Sequence, residues 1–195
     1  MREITTVTKV YEFDELGKKA QEKALAELHY INVDYEWHAN SIGDFITILD
    51  NIGVDTLKEN LQFSGFSSQG DGLSFTGYYY YCKGALAWIK SEWPKWTALH
   101  NAVLSLQEIQ RKHFYRISGN IVRYNHRYSH SKTVEFEGSD YSEEIEREIT
   151  DILRDIMDAF YRQLDEEYDY FTSDECIKES IFANGYEFTI EGKMI

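Results

Sequence analysis

The stretch FSGFSSQGDGLSFTGYYYY, residues 63–81, decides the reading of the fold. Its two ends are strand-like and its middle is made of turn residues. Leu61 to Phe66 alternates, with Leu61 and Phe63 on one side and Gln62, Ser64 and Phe66 on the other. Leu73 to Tyr81 is rich in aromatic residues, which favour a pleated, half-buried surface. Between them lies Ser67-Ser68-Gln69-Gly70-Asp71-Gly72. Glycine supplies the positive φ that tight turns need, and Asp-Gly is a recognised turn pair. The stretch therefore predicts a β-hairpin with a glycine-rich tip. Tyr78 to Tyr81 put rings on both faces of one strand, as expected of a central strand covered by helices on one side and by a partner or another layer on the other.

On either side of the hairpin, helical and strand-like segments interleave. Leu16, Ala20, Ala24 and Leu28 fall at four-residue spacing, which predicts a helix capped by Asp14. A second helix is expected over 34–51, with Gly53 as its C-terminal stop. A short helix over 84–93 ends before Pro94, and a longer one over 95–114 carries Leu99, Ala102, Val103, Leu106, Ile109 and His113 on one stripe. Residues 115–124 and 132–137 predict a second hairpin. The longest helix is expected over 141–168, with Ile145, Ile149, Ile152, Ile156, Phe160, Leu164 and Tyr168 inward. Thr172 with Glu175 reads as the capping box of a last helix ending near Gly185. Strands are expected at both ends of the chain, over 5–11 and 186–190. The fold class that follows is α+β: a mainly antiparallel sheet of two hairpins and terminal strands, covered by several helices, in a single domain over 1–195.

The 195 residues include 43% hydrophobic and 15% aromatic side chains, enough to bury a full core. The two cysteines, Cys82 and Cys176, are too few for a disulfide scaffold or a zinc site of the usual spacing. The opening MREITTVTKVYEFDELG lacks the apolar core of a signal peptide, and no segment approaches the length of a membrane span. The expectation is a cytoplasmic protein with no cofactor and no metal. No P-loop, dinucleotide fingerprint, nucleophile elbow or H-E-x-x-H arrangement is present.

The formal net charge of −14 is unevenly spread. Glu135 to Glu175 holds 16 acidic residues against Arg147, Arg154 and Arg162. Ile109 to Val134 has no acidic residue and carries Arg111, Lys112, Arg116, Arg123, Arg127 and Lys132, with His113, His126 and His130. Three readings follow. The acidic helix is a solvated face neutralised by its basic neighbour. Or it imitates a phosphate backbone and docks on a nucleic-acid-binding protein, with Glu143, Glu144, Glu148, Asp151, Asp155 and Asp158 as the contact. Or the basic hairpin itself binds nucleic acid, with Arg111, Arg116, Arg123 and Arg127 as phosphate ligands and tyrosines interleaved. The tip residues Ser68, Gln69, Gly70, Asp71 and Gly72 are the other candidate site. Their N–H groups suit an anion and Asp71 suits a cation or a base, while the plain alternative is that Asp71 bonds its own backbone. His126 and His130, four apart, sit beside arginines that disfavour a bound cation. Tyr78 to Tyr81 with Trp88, Trp93 and Trp96 read as core or as an aromatic cleft.

Four segments carry a resemblance: Phe13 to Ala24 (FDELGKKAQEKA), Phe63 to Gly77, Arg111 to Arg116 (RKHFYR) and Tyr161 to Glu175 (YRQLDEEYDYFTSDE). In this order they look like a group of phage and prophage proteins, some labelled as the antitoxin of a toxin–antitoxin stability system. The resemblance implies a bacteriophage or mobile-element accessory protein working in the host cytoplasm. The functional expectation is a stoichiometric binder that inhibits a host defence complex, in the manner of an anti-CRISPR protein, or neutralises a toxin. The alternative is a nucleotide- or nucleic-acid-binding protein using residues 67–72 and the basic segment over 111–132.

Overall fold

The computed structural model describes residues 1–2, 9–124, 127–139 and 141–195. In chain order the elements are α1 (Lys18–Glu27), α2 (Ala39–Ile52), β1 (Val54–Asp55), β2 (Leu61–Phe63), β3 (Leu73–Phe75), β4 (Gly77–Tyr79), α3 (Ala85–Glu92), α4 (Thr97–Lys112), β5 (Gly119–Arg123), β6 (Val134–Gly138), α5 (Glu143–Phe171) and α6 (Asp174–Asn184). Among the described residues all strand pairs are antiparallel, so the α+β class holds. The chain divides into two compact units, Met1–Trp37 with Glu166–Ile195, and His38–Asp165.

In the first unit, α1 and α6 enclose a core of Phe13, Leu16, Ala24, Leu25, Leu28, Ile177, Ile181 and Phe188. Asp14 does not cap α1. It lies in a 3-10 turn, Phe13–Glu15, that buries Phe13, and α1 begins only after Gly17. The box closing that turn joins the Glu12 N–H to the Glu15 carboxylate at 2.9 Å. Nor does Thr172 cap α6: its hydroxyl donates back to the Tyr168 carbonyl, and Ser173 accepts from the Cys176 N–H instead. Buried Asn32 is fully engaged. Its amide donates to the Phe171 carbonyl at 3.1 Å and to Cys176 Sγ at 3.4 Å, and its carbonyl accepts from Ser180 Oγ at 2.6 Å. The expected strand over 5–11 lies mostly outside the described residues. Tyr11 and Phe188, and Phe188 and Met194, meet as isolated antiparallel bridges.

The second unit holds a four-stranded sheet in the order β1-β4-β5-β6 and the separate β2-β3 pair. The first predicted hairpin is thus split. β3 pairs with β2 around the tip, the chain breaks at Thr76, and β4 crosses into the larger sheet between β1 and β5. The Thr56 hydroxyl fixes the break by donating to the Thr76 carbonyl at 2.6 Å. β4 is central, as its tyrosines predict. Tyr79 is buried, whereas Tyr78 and Tyr80 stand 43% and 40% exposed on the opposite side. Gly53 ends α2 at φ +90°, and a Cβ there would lie 2.0 Å from the Tyr80 carbonyl, so only glycine fits. An aromatic cluster binds the helices together: Phe45 stacks on Phe160 at 4.2 Å, with Trp96 5.8 Å from Phe160.

α5 is ordered on three sides by its own sequence. Ile149, Leu153, Ile156, Met157 and Phe160 are buried. A second row, Glu146, Thr150 and Arg154, faces the edge strand β6. The Gly138 N–H donates to Glu146 Oε1 at 2.9 Å, the Phe136 N–H to Thr150 Oγ1 at 2.9 Å, and Arg154 Nη2 to the Val134 carbonyl at 2.8 Å. Four helical residues rise about 6 Å and two strand residues about 6.6 Å, so the two rows keep step. Side chains thereby satisfy backbone groups that an edge strand otherwise leaves open for pairing. The third side of α5 faces solvent.

Candidate functional site

With the buried row and the β6 row committed, the remaining face of α5 is fixed by helical geometry. Glu144, Glu148, Asp151, Asp155, Asp158 and Arg162 recur at intervals of three or four residues, and all are exposed. From Glu144 to Asp158 the axis runs about 21 Å and carries five carboxylates spaced about 4.5–6 Å apart, against one phosphate per about 3.4 Å along a DNA strand. Burial, the main cause, pushes the Asp155 carboxyl above its usual range; Asp158 and Asp151 push the same way and Arg162 opposes them. Cations also meet the row: among the described residues Lys112 Nζ is 3.9 Å from Glu148 and Arg154 Nη1 is 3.6 Å from Asp151, and Arg162 stands in the row itself. Glu143, also exposed, falls on the neighbouring face instead. There it lines an open groove of about 480 Å³ with Glu135, Glu146, Arg147 and Arg154, and Asp151 of the row borders the same groove. Five of the six predicted contact residues therefore share one face.

The glycine-rich tip is a self-contained turn. Asp71 Oδ2 accepts from the N–H groups of Ser67 at 3.1 Å and Ser68 at 2.7 Å. The Gly72 N–H donates to Ser64 Oγ, and the Asp71 N–H to the Ser68 carbonyl. Two of the N–H groups that suited an external anion are thus held by the loop's own carboxylate. Gly70 has φ +99°, and a Cβ there would lie 3.1 Å from the Tyr128 ring, so the loop needs glycine both for its backbone and for this approach. On its other flank, Phe66 stacks on Tyr161 at 5.5 Å, and the Tyr161 hydroxyl donates to the Gly65 carbonyl at 3.0 Å.

The basic residues do not form one patch. Arg123 is drawn inward, with Nη1 donating to Gln62 Oε1 at 2.8 Å and Nη2 to Ser74 Oγ at 2.8 Å. Burial lowers its pKa. Arg127 stands over the Tyr128 ring at 5.5 Å, beside the tip. Arg111 stands on α4, Arg116 in the turn before β5 and Arg127 after it. His130 accepts from the Lys132 N–H through Nδ1 and so caps a short turn. His126, four residues before it, lies outside the described residues. Among the described residues no group of three or more His, Cys, Asp or Glu side chains is placed to hold a metal ion. Cys82 and Cys176 are free thiols. Burial, then Glu179, pushes the Cys176 thiol up, away from the thiolate that nucleophilic chemistry needs. Among the described residues no helix is long and apolar enough to cross a membrane.

Two further features are not legible in the sequence alone. The Glu146–Thr150–Arg154 row had a signal, polar residues at four-residue spacing on the helix side next to the core, but its meaning depends on β6. The sequence predicts the end of a helix and the start of a strand at the turn after α4. Its residues Phe114 and Tyr115 are in fact left-handed, with φ 57° and 60°.

Residues 37–174 match a family described as a domain of unknown function (DUF8835), and the match spans the whole of the second unit. The chain belongs to this family. No curated protein matches it significantly, and no solved structure does.

Proposed function

We propose that this member of the DUF8835 family acts by binding a basic protein in a fixed ratio, through the solvent face of α5. The observation that carries the reading is the row Glu144, Glu148, Asp151, Asp155 and Asp158, exposed along one side of a helix whose other sides are committed to the core and to β6. A rigid line of carboxylates suits a groove built for phosphates, because complementary potential steers encounter and fixes register. The partner class is therefore a nucleic-acid-binding protein. The resemblance to phage and prophage proteins narrows it to a bacterial defence complex or a toxin, with this chain as an accessory inhibitor. The engagement of Asp71 with its own loop supports placing the contact on α5 rather than at the glycine-rich tip.

The test is affinity capture from bacterial lysate, followed by mass spectrometry, with the wild type and with a variant carrying Glu148→Lys, Asp151→Lys, Asp155→Lys and Asp158→Lys. All four positions are exposed, so the substitutions leave the core untouched, and a wild-type circular dichroism spectrum checks the fold. The reading expects a basic nucleic-acid-binding protein on the wild type that is lost from the variant. Equal capture by both removes it.

A further inference from the structure

We infer that the turn joining α4 to β5 is a second binding site, one that takes single-stranded nucleic acid by stacking a base on Phe114. This goes beyond the acidic-face reading and does not rest on it. Phe114 is 81% exposed, the most exposed aromatic side chain among the described residues. Phe114 and Tyr115 are also the only described non-glycine residues with positive φ. A bulky residue in that region is an outlier, and two in succession persist only where the surroundings over-determine them.

The surroundings do so here. Gln110 is fully buried and spends both ends of its amide on Ile117: Nε2 donates to the Ile117 carbonyl at 2.7 Å, and Oε1 accepts from the Ile117 N–H at 3.2 Å. The Tyr115 N–H donates to the Gln110 carbonyl at 2.7 Å, and the Tyr141 hydroxyl to the Arg116 carbonyl at 2.9 Å. Tyr115 packs on Tyr81 with ring centroids 4.6 Å apart. The fold thus clamps the turn from both sides and leaves the Phe114 ring in water, where it adds nothing to the core.

The chemistry around the ring selects the ligand. Arg111 and Arg116 are exposed within three residues of Phe114, Lys112 is exposed too but pairs with Glu148, and the sequence from Ile109 to Val134 has no acidic residue. A flat aromatic face beside several cations is the arrangement that holds unpaired bases and their phosphates. An anionic membrane also carries negative charge, but it is broad. Lys112 lies 3.9 Å from Glu148 on the acidic face of α5, so a flat anionic surface brought to the turn meets those carboxylates within a Debye length of about 10 Å. A single strand is thin enough to cross the turn alone.

Fluorescence anisotropy of labelled oligothymidylate and oligouridylate, read at low salt against a duplex of the same length, tests the site. The expected result is binding of single strands in preference to duplex. Phe114→Gly should weaken it about tenfold or more, and Phe114→Trp should retain it. Arg111→Gln with Arg116→Gln should weaken it and flatten its salt dependence. Because Phe114→Gly also relieves the left-handed backbone, its thermal midpoint should rise, which separates lost binding from lost folding. The inference is overturned by absence of single-strand binding up to about 100 µM, the weak end of non-specific affinity. It is equally overturned by binding that Phe114→Gly leaves unchanged, or by co-sedimentation with phosphatidylserine vesicles in place of oligonucleotide binding.

Discussion

The Asp71 carboxylate holds the Ser67 and Ser68 N–H groups, so its removal returns two donors of a tight loop to water. Asp71→Ala should cost about 1–2 kcal/mol, read as a lower urea midpoint with unchanged m. Tyr79 makes a second residue-scale prediction. Burial pushes its phenol from 10.0 up to about 12, against the hydrogen bond from Gln110, and smaller repulsions from Tyr81 and Cys82 add to the rise. A folded pKa above the unfolded one means that the folded state keeps a proton the unfolded chain releases. That stability is fully present below pH 10 and is lost as pH climbs to about 12. Denaturant titrations across this window should show the decline, and Tyr79→Phe should flatten it. At this scale much was legible. An Asp between two glycines reads as a turn that bonds itself, and Gly53 reads as a helix stop. The fate of Arg123 was not, because Gln62 and Ser74 reach it only through β2 and β3.

α5 shows what an element adds to its residues. Its periodicity gave the buried stripe directly, since apolar side chains at three- and four-residue spacing have few other places to go. The row that meets β6 stayed hidden, because Glu146, Thr150 and Arg154 look like ordinary solvent residues until a strand edge stands beside them. Thr150→Val keeps the shape and removes the acceptor of the buried Phe136 N–H. The expected cost is about 1–3 kcal/mol, with faster hydrogen exchange at the Phe136 amide; an unchanged exchange rate would show that the row does not close the edge. The β3–β4 break was hidden for a similar reason. Leu73 to Tyr81 has a continuous strand composition, and only Thr56 from a distant segment marks where it divides. The caps of α1 and α6 shifted from the expected positions because several capping residues compete at each helix start, and the burial of Phe13 decided the first.

For the molecule as a whole, the −14 charge is a stability cost as well as a surface property. Asp155 sits between Asp151 and Asp158, and its raised pKa means that ionising it opposes the fold. Asp155→Asn should therefore raise the thermal midpoint while weakening partner capture, the trade expected where a strained surface is kept for binding. Salt should raise the wild-type midpoint by screening the row, and should do so less in Asp155→Asn. The charge segregation was legible in the sequence. Which carboxylates share a face, and that Glu143 leaves it, required the packing of α5. The most direct test of the central claim is competition: the captured partner is loaded with labelled nucleic acid and titrated with this protein carrying Phe114→Gly, so that its own nucleic-acid site is silent. Displacement of the nucleic acid at a fixed molar ratio is expected, abolished when Glu148, Asp151, Asp155 and Asp158 are reversed. A ternary complex, with the partner holding nucleic acid and this protein together, would contradict it.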